Sequence, residues 1–368
     1  MKKIVFVLPN MALGGTEKSL LSLLDTLSQE EYDVTLLLFK QEGLLLDQVP
    51  SWVKVKGVSD FNEMNYDFSK SPFKLFPEYV KRKKLIRAFN IIARHIWFRL
   101  TNNRYSYYYY VLKDYRFDES FDIAVAYLGP YDLLTAYVLF CIRAKEKIQW
   151  IHFDVSKYVF NKHTSKSFYK RYNRINVVSG AAKDALLDII PELESKSFVT
   201  QNVVSKKRCQ QLADSETGFV DDFSGLRIIT VGRLSEEKGQ DIIPQIADQL
   251  KSRNVRFRWY IIGEGLLKEQ IIELISRYGV DDCVFLLGAK ENPYPFFKEA
   301  DIYVQTSKHE GYGLVLAEAK VFDLSIVATR CSATDEILDG VSNAIIIDRK
   351  ADEFVNAIIS TEGKLNNA

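Results

Sequence analysis

Short apolar runs alternate with amphipathic segments from the start of the chain. "KIVFVLP" is rich in β-branched residues and predicts a buried strand. "GGTEKSLLSLLDTLSQE" follows with leucines at helical spacing, and "YDVTLLLFK" predicts a second buried strand. A strand, a helix and a strand in this order form a βαβ unit, and such units build parallel sheets. The first part of the chain is therefore predicted to be an α/β domain.

The same pattern continues and then starts again after about residue 205. "FDIAVAYLG", "KIQWIHF" and "RINVVSG" predict further strands of the first sheet. The strands predicted for a second sheet are "LRIITVGRL", "RFRWYIIGEG", "CVFLLGA", "DIYVQTS" and "SIVATR", with helical segments between them. With 368 residues the chain is long enough for two cores. We predict two Rossmann-like domains facing a central cleft, residues 1–203 and 204–368.

The composition of the chain excludes several classes of protein from consideration. The net charge of +1 gives the whole chain no field of the strength that nucleic-acid binding requires. The four cysteines form no CxxC pair and no metal-binding spacing, which favours a reduced cytoplasmic compartment. The apolar run at the N-terminus is too short for a signal peptide, and no run of about 18 apolar residues predicts a membrane-spanning helix.

Residues 70–116 differ from the rest. They contain twelve lysines and arginines but two acidic residues, mixed with aromatic residues such as "YSYYYY". An apolar stripe runs through "VKRKKLIRAFNIIARHIWFRL", formed by Leu85, Ile86, Phe89, Ile92, Ala93, Ile96 and Trp97. Two interpretations stay open. The segment either rests on an anionic membrane surface, or covers the first domain with its stripe in the core and its lysines in solvent.

Charged residues follow predicted strands of the second half. "GRLSEEKG" places Arg233 and Lys238 where a strand leads into a helix, and a helix N-terminus with two cations suits a diphosphate. "IIGEG" ends another strand, and Gly263 there would let a ligand approach the backbone. Without further context, a solvated basic pair and an ordinary turn are the favoured explanations of these residues.

"HEGYGLVLAEA" places two carboxylates around the start of a helix. Glu310 lies in the loop after a predicted strand, and Glu318 lies within the following helix. The glycines Gly311 and Gly313 would open backbone amides to an anion, while a carboxylate accepts hydrogen bonds from the paired hydroxyls of a sugar. The alternative is that Glu318 is a surface residue and Glu310 a capping acid.

Taken in order, these motifs resemble a known family. "GRLSEEKG", "GEG", "NPYPFFKEADIYVQTS" and "EGYGLVLAEA" are similar to the donor half of the retaining GT-B glycosyltransferases of family 4. "GGTEKSL", "WIHFD", "VVSGAAKDAL" and "QNVV" extend the resemblance over nearly the whole chain except residues 60–116. The resemblance implies the GT-B fold, with an acceptor-side first domain and a nucleotide-sugar donor domain after it.

The resemblance also implies roles for individual residues. Arg233 and Lys238 would neutralise the donor diphosphate, Glu318 would bind the ribose, and Glu310 would bind the transferred sugar. His152 would stabilise the developing oxocarbenium ion, although a satisfied core histidine is the alternative. The remaining predicted residues are Gly14, Gly15, Gly263, Glu264, Tyr294, Gly311, Tyr312, Gly313, Leu314 and Val315 for the donor, and Thr16 and Glu17 for the acceptor.

The implied activity is transfer of a hexosyl or N-acetylhexosaminyl group from a nucleotide sugar, with UDP favoured, to a glycan or lipid-linked acceptor. No cofactor and no metal are expected, since cations and helix amides can stabilise a departing diphosphate. Bacterial surface polysaccharide synthesis, such as that of a capsule, is the implied pathway, in the cytoplasm at the inner face of the membrane.

Two alternatives are a non-catalytic partner subunit and a nucleotide-sugar epimerase. A dinucleotide-dependent oxidoreductase is less favoured, because "PNMALGGTE" provides no GxGxxG turn.

Overall fold

The computed structural model describes residues 1–157, 161–331 and 333–365, and it divides the chain into two compact units. Unit 1 ends at Gln201 and unit 2 begins at Asn202. The division lies two residues before the boundary that we placed from the sequence. Each unit is an α/β structure built on one parallel sheet.

The described residues of unit 1 form seven parallel strands. They are β1 (Lys2–Leu8), β2 (Tyr32–Leu38), β3 (Lys54–Gly57), β4 (Ser120–Ala126), β5 (Arg143–Ile151), β6 (Arg174–Val177) and β7 (Ser197–Val199). The helices are α1 (Gly15–Leu24), α2 (Phe61–Ser69), α3 (Pro72–Lys81), α4 (Leu85–Thr101), α5 (Tyr105–Leu112), α6 (Asp132–Cys141), α7 (Lys162–Tyr169) and α8 (Gly180–Ile189). The strand order is β3-β2-β1-β4-β5-β6-β7.

In unit 2 the part of the chain that the structure describes forms six parallel strands. They are β8 (Leu226–Val231), β9 (Phe257–Ile262), β10 (Val284–Gly288), β11 (Ile302–Gln305), β12 (Ser325–Thr329) and β13 (Ala344–Ile347). The helices are α9 (Lys206–Ala213), α10 (Ile243–Ser252), α11 (Lys268–Tyr278), α12 (Tyr294–Glu299), α13 (Leu314–Val321), α14 (Thr334–Leu338) and α15 (Ala351–Leu365). The strand order is β10-β9-β8-β11-β12-β13.

The strand order reverses once in each sheet, which fixes where a ligand can bind. The reversal lies between β1 and β4 in unit 1 and between β8 and β11 in unit 2. Connections leave such a point in opposite directions and open a crevice beyond the carboxyl ends of the two strands. In unit 2 a bound ligand is therefore expected beside the loops that follow β8 and β11.

The strands are held by apolar residues on both faces. Unit 1 has one large core that combines strand residues such as Val7 with tyrosines of α5 and α6. Unit 2 has two cores, one built around Trp259 and Phe354 and the other around Tyr303 and Phe297. Side chains on both faces of each sheet are buried, as expected for parallel strands covered by helices.

Residues 61–112 form four helices between β3 and β4. Tyr107, Tyr108 and Tyr110 of α5 are buried in the core of unit 1, so this part of the basic segment is structural. On α4 the buried residues are Ala88 and Ile91, while Leu85, Ile86, Phe89, Ile96 and Trp97 are exposed. The predicted apolar stripe, apart from the half-buried Ile92, thus faces solvent and is not part of the core. Within the described residues, no helix is long and apolar enough to cross a bilayer.

Candidate functional site

Two loops meet at the strand reversal of unit 2. The loop after β8 carries Arg233 and Lys238, and the loop after β11 carries Glu310. The backbone N–H groups of Lys308 and His309 donate to the Glu237 carbonyl over 2.7 and 3.3 Å, which joins the two loops. Lys238 and Glu310, which are 72 residues apart in the chain, thereby share one continuous surface at the carboxyl edge of the sheet.

Lys238 and Glu310 form an ion pair at the centre of this surface. The Lys238 Nζ lies 2.6 Å from Glu310 Oε1, and the Ser307 hydroxyl donates to the same oxygen over 2.7 Å. The Glu310 side chain is 7% exposed, and that of Lys238 is 23% exposed. Because the pair is mostly shielded from water, its attraction exceeds that of a surface pair. The sequence predicted both residues but gave no sign that Ser307 joins them.

Hydrogen bonds from residues of other loops hold the backbone around Lys238 in place. Its carbonyl accepts the Thr306 hydroxyl at 2.9 Å. Arg349, which follows β13, donates to the carbonyls of Gly239 and Thr306 and forms an ion pair with Asp241 at 2.7 Å. Arg349 was not found from the sequence, because its partners lie more than 40 residues away and in two separate loops.

Glu318 lies in the second turn of α13 and is buried, so it is not a surface residue. The Tyr294 hydroxyl, at the start of α12, donates to Glu318 Oε1 over 2.8 Å. Burial and the neighbouring Glu318 charge raise the pKa of Tyr294 well above its usual value, so Tyr294 stays protonated and can only donate to the carboxylate. Tyr294 thus supports Glu318 directly, and its contact with the donor stays a prediction.

The start of α13 is shaped by a glycine. Gly313 caps the helix with a φ of 82°, in the left-handed region that other residues rarely adopt. Gly311, Tyr312, Leu314 and Val315 around it are partly exposed, so the first turn of α13 reaches the surface at this edge. A helix N-terminus with free amides is a favourable place for an anion. The N-cap residue of α13 is Gly313 and not Glu310.

The close approach of a neighbouring backbone requires a glycine at position 263, after β9. A Cβ on Gly263 would lie 1.9 Å from the Gly232 carbonyl oxygen, because the ends of β8 and β9 approach closely there. Glu264 is exposed and pairs with Lys268 of α11 over 2.9 Å. The Arg233 side chain is also exposed, at the beginning of the loop that ends with Lys238. Contact of these residues with a donor stays a prediction.

In unit 1 the predicted residues lie around the corresponding edge. Gly14 caps α1, Gly15 is its first residue, and Thr16 and Glu17 form its first turn. His152 follows β5 and is buried; its ring is parallel to Trp150 with 6.0 Å between centroids.

Tyr127 connects α1 with His152. Its ring lies 4.8 Å from that of His152, and its hydroxyl lies 3.0 Å from the Ser19 hydroxyl on α1. Burial raises the pKa of Tyr127 far above its usual value, so the hydroxyl remains a neutral hydrogen-bonding group. The sequence did not identify Tyr127 or Ser19, because each resembles an ordinary core or helix residue. The structure thus joins the predicted glycine loop and histidine within unit 1.

The edge of unit 2 therefore offers two cations, two shielded carboxylates and a helix N-terminus. This set can bind a ligand that combines an anionic group with several hydroxyls. Among the described residues, no three histidine, cysteine or acidic side chains come together as a metal site. Metal independence itself stays a prediction.

Residues 224–363 match the family model described as "Glycosyl transferases group 1". The match lies within unit 2 and covers 140 of the 368 residues. An uncharacterized glycosyltransferase of Methanocaldococcus jannaschii is 29% identical over 172 residues, which cover 45% of this chain and 42% of that protein. One of Haemophilus influenzae is 23% identical over 339 residues, or 90% of this chain and 82% of that protein.

A third relative has a more specific name. The N-acetylgalactosamine-N,N'-diacetylbacillosaminyl-diphospho-undecaprenol 4-alpha-N-acetylgalactosaminyltransferase of Campylobacter jejuni is 26% identical over 161 residues, 43% of this chain and 42% of that protein. The matches to this enzyme and to the Methanocaldococcus protein thus span less than half of those relatives.

Solved structures establish the fold of both units. TarM superimposes with a TM-score of 0.69 at 15% identity, over 99% of this chain and 93% of TarM. HepE of Anabaena, solved with UDP and glucose, gives a TM-score of 0.64 at 18% identity, over 98% of this chain and 89% of HepE. The predicted GT-B fold, with two Rossmann-like domains, is confirmed.

Proposed function

We propose that this protein is a retaining glycosyltransferase that transfers a hexosyl or N-acetylhexosaminyl group from a nucleotide sugar. The observation that carries the proposal is the shielded Lys238–Glu310 pair at the strand reversal of a group 1 domain, with the buried Glu318 in the helix that follows. A ligand crevice is expected at this point of the sheet, and the side chains there suit a diphosphate linked to two sugars.

The leaving diphosphate is the main electrostatic demand of the reaction. When the bond between the sugar and the diphosphate breaks, negative charge grows on the released oxygen. Lys238, Arg233 and the amides at the start of α13 would stabilise this charge. Because Thr306 already holds the backbone of Lys238, and Arg349 holds that of Thr306, little reorganisation of the Lys238 backbone would be needed in the transition state. We assign no metal to this step.

The two carboxylates would select and orient the donor. Glu310 would accept hydrogen bonds from hydroxyls of the transferred sugar, and Glu318 from those of the ribose. Tyr294 and Ser307 each donate to one of these carboxylates and so hold it in place. In unit 1 we assign His152 to the stabilisation of positive charge at the reacting carbon, and Thr16 and Glu17 to the acceptor.

The relatives suggest the classes of donor and acceptor. HepE was solved with UDP and glucose, and the Campylobacter relative is named for an undecaprenol-linked acceptor. We therefore favour a UDP-sugar donor and a glycan or lipid-linked acceptor in bacterial surface polysaccharide synthesis, such as that of a capsule. The acceptor hydroxyl would form the new glycosidic bond, and its proton would leave with the released nucleotide.

Calorimetric titration would test the donor site directly. UDP, GDP, ADP and their common sugar conjugates would be titrated into wild type, Lys238→Ala and Glu318→Ala. Lys251→Ala is a matched control, because Lys251 forms a 2.8 Å ion pair with Asp282 near the end of α10, away from this loop. We expect one nucleotide to bind wild type and the control but to lose affinity in the other two variants.

The other outcomes separate the alternatives. Folded wild-type protein that binds none of these nucleotides would refute the proposal and favour the non-catalytic partner subunit. Conversion of a bound nucleotide sugar into another nucleotide sugar without acceptor would identify an epimerase. Where transfer is observed, an anomeric configuration opposite to that of the donor would contradict retention.

A further inference from the structure

We propose that the α3–α4 hairpin is a docking surface for an anionic lipid bilayer. This surface comprises the outward residues of α3 and α4 and the turn between them, residues 73–100. The inference goes beyond the proposed function, and it rests on that function only where it connects the bilayer with a lipid-linked acceptor. Its evidence is the orientation of side chains on two helices of unit 1.

The outward face of α4 consists of apolar residues. Leu85, Ile86, Phe89, Ile96, Trp97 and Leu100 are each between 53 and 80% exposed, and Ala93 is exposed as well. Their spacing of three and four residues places them on one side of the helix. The row is roughly 20 Å long at the rise of an α-helix. An exposed apolar row of this length is unusual for a surface that faces only water.

The inward face of α4 carries two of its three arginines, Arg87 and Arg94, which reverses the usual arrangement of a surface helix. Arg87 forms ion pairs with Asp114 and, over 3.6 Å, with Asp67. Arg94 stacks on the Tyr110 ring at 4.9 Å and donates to the Ser106 carbonyl. These arginines are occupied by unit 1, so they cannot turn outward to cover the apolar row. The orientation of α4 is thus fixed by polar contacts on its inner side.

Helix α3 extends the same surface. Phe73, Pro77 and Val80 are exposed at a spacing of three and four residues. Phe76 packs edge-on against Phe89, with 5.5 Å between the centroids, which aligns the two helices. The apolar surface therefore belongs to both helices of the hairpin.

Cations lie beside this apolar surface. Lys81, Arg82, Lys83 and Lys84 form the exposed turn between the helices, and Lys74 and Arg99 are exposed further along them. Among these, Arg82 shares its charge with Glu63 across 3.5 Å. Apolar residues flanked by lysines match the two layers of a membrane interface, acyl chains below and anionic headgroups above.

The charge also decides between possible occupants. A second copy of the chain would cover the apolar residues, but it would bring an identical set of lysines against this one. Like charges at an interface cost affinity, whereas anionic headgroups attract each of these cations. An anionic bilayer is therefore the occupant that fits this surface. A lipid-linked acceptor would lie in that same bilayer, which gives the docking a place in the proposed reaction.

Vesicle binding of the full chain tests the proposal. Sedimentation would compare vesicles of phosphatidylcholine alone with vesicles that also contain phosphatidylglycerol. We expect stronger binding to the anionic vesicles and a loss of at least about tenfold in Ile86→Glu/Trp97→Glu. In Lys81→Gln/Lys83→Gln/Lys84→Gln the preference for anionic vesicles should fall by about fivefold for each cation removed.

Two controls make the result specific. Val220→Glu/Ile272→Glu introduces the same charges at exposed apolar residues of unit 2, and it should bind vesicles like wild type. The emission of Trp97, which is 57% exposed, should shift to shorter wavelength on anionic vesicles, and Trp97→Phe should remove this shift.

Two outcomes would overturn the proposal. One is equal binding of wild type and Ile86→Glu/Trp97→Glu to anionic vesicles. The other is a lipid-free dimer that dissociates in Ile86→Glu/Trp97→Glu while wild type does not bind vesicles, which would assign the surface to a second copy. Nucleotide binding by the same variants should match wild type, so failure of the docking is distinguishable from failure of the proposed function.

Discussion

The Lys238 ammonium and the Ser307 hydroxyl both donate to one oxygen of Glu310, at 2.6 and 2.7 Å. Lys238 and Glu310 come from loops that follow two neighbouring strands, β8 and β11. This relationship joins a cation suited to a diphosphate with a carboxylate suited to sugar hydroxyls. The Lys238–Glu310 pair should therefore contribute both to donor binding and to the stability of unit 2. Substitutions at the two residues can separate these contributions.

Lys238→Met should lower kcat by about 10²–10³-fold, because it removes a cation that stabilises the leaving diphosphate. The same change leaves Glu310 shielded from water without its ammonium. We expect a loss of about 1–3 kcal/mol in the free energy of unfolding, between the values for exposed and buried pairs. Denaturant unfolding and steady-state kinetics measure the two effects.

The double variant Lys238→Met/Glu310→Gln separates the two effects. With both charges removed, the stability should recover most of the loss while the activity stays low. A recovery of activity together with stability would show that Lys238 acts only by supporting Glu310.

Tyr294→Phe removes the hydroxyl that donates to Glu318 but keeps the ring contacts with Phe297 and Phe322. We expect KM for the donor to rise by about 5–30-fold with little change in kcat, since one hydrogen bond to a buried carboxylate is lost. Tyr260→Phe is the control. Its hydroxyl donates to Asp221 over 2.6 Å, so that variant should lose stability but keep its KM for the donor.

Gly263→Ala should destabilise unit 2 by about 1–3 kcal/mol, because the new Cβ would meet the Gly232 carbonyl and the backbone has a φ of 154°. Gly279→Ala is the matched control, since Gly279 also has a positive φ but no atom lies within 4 Å of its Cβ position. Thermal unfolding of both variants measures the difference. Equal destabilisation would mean that the contact with Gly232 is unimportant.

Asp221 should make unit 2 sensitive to acid. Burial acts to raise its pKa, but hydrogen bonds from Tyr260, Arg227 and the Phe223 N–H outweigh burial and hold the pKa well below its usual value. The stabilisation from this ionised group is therefore present above the unfolded pKa of about 3.9 and is lost as the pH falls towards the folded pKa.

Unfolding measured from neutral pH down to about pH 3 should show this loss in wild type. Asp221→Asn should be less stable at neutral pH and should lose less stability on acidification. A pH profile unchanged by the substitution would contradict the role of Asp221.

The sequence predicted most strands because their apolar runs are continuous. It missed β3, β7 and β13, which are edge strands of three or four residues. The segment "KVKG" of β3 contains no fully buried residue, so it carries no apolar run to detect. Detection therefore followed burial on both faces of the sheet rather than strand formation itself.

The candidate site was predicted as a set of residues and not as an arrangement. Lys238 and Glu310 could be assigned to one edge because parallel strands end together. Their pairing depends on loop conformations that bring the backbone of Lys308 to Glu237, and no local pattern encodes that contact. Arg349 was missed for the same reason, since it donates to residues of two other loops. Ser307 lies in the same loop as Glu310, and no motif marked its hydroxyl as a donor to that carboxylate.

The orientation of α4 could not be predicted from its periodicity. A stripe at helical spacing shows that one side is apolar, but it does not show whether that side faces the core. Which side of α4 faces unit 1 depends on Asp67 and Asp114, because both form ion pairs with Arg87 on the inner side of the helix. Acidic residues elsewhere in the chain thus set the direction of the helix.

The outward apolar row of α4 also determines how the purified protein should respond to salt. In lipid-free buffer the rows of different molecules attract one another, and the neighbouring lysines keep them apart by repulsion. Added salt screens that repulsion over a few ångströms but leaves the apolar attraction in place. The protein should therefore remain dispersed at low ionic strength and precipitate as salt is added, and a mild detergent should restore its solubility.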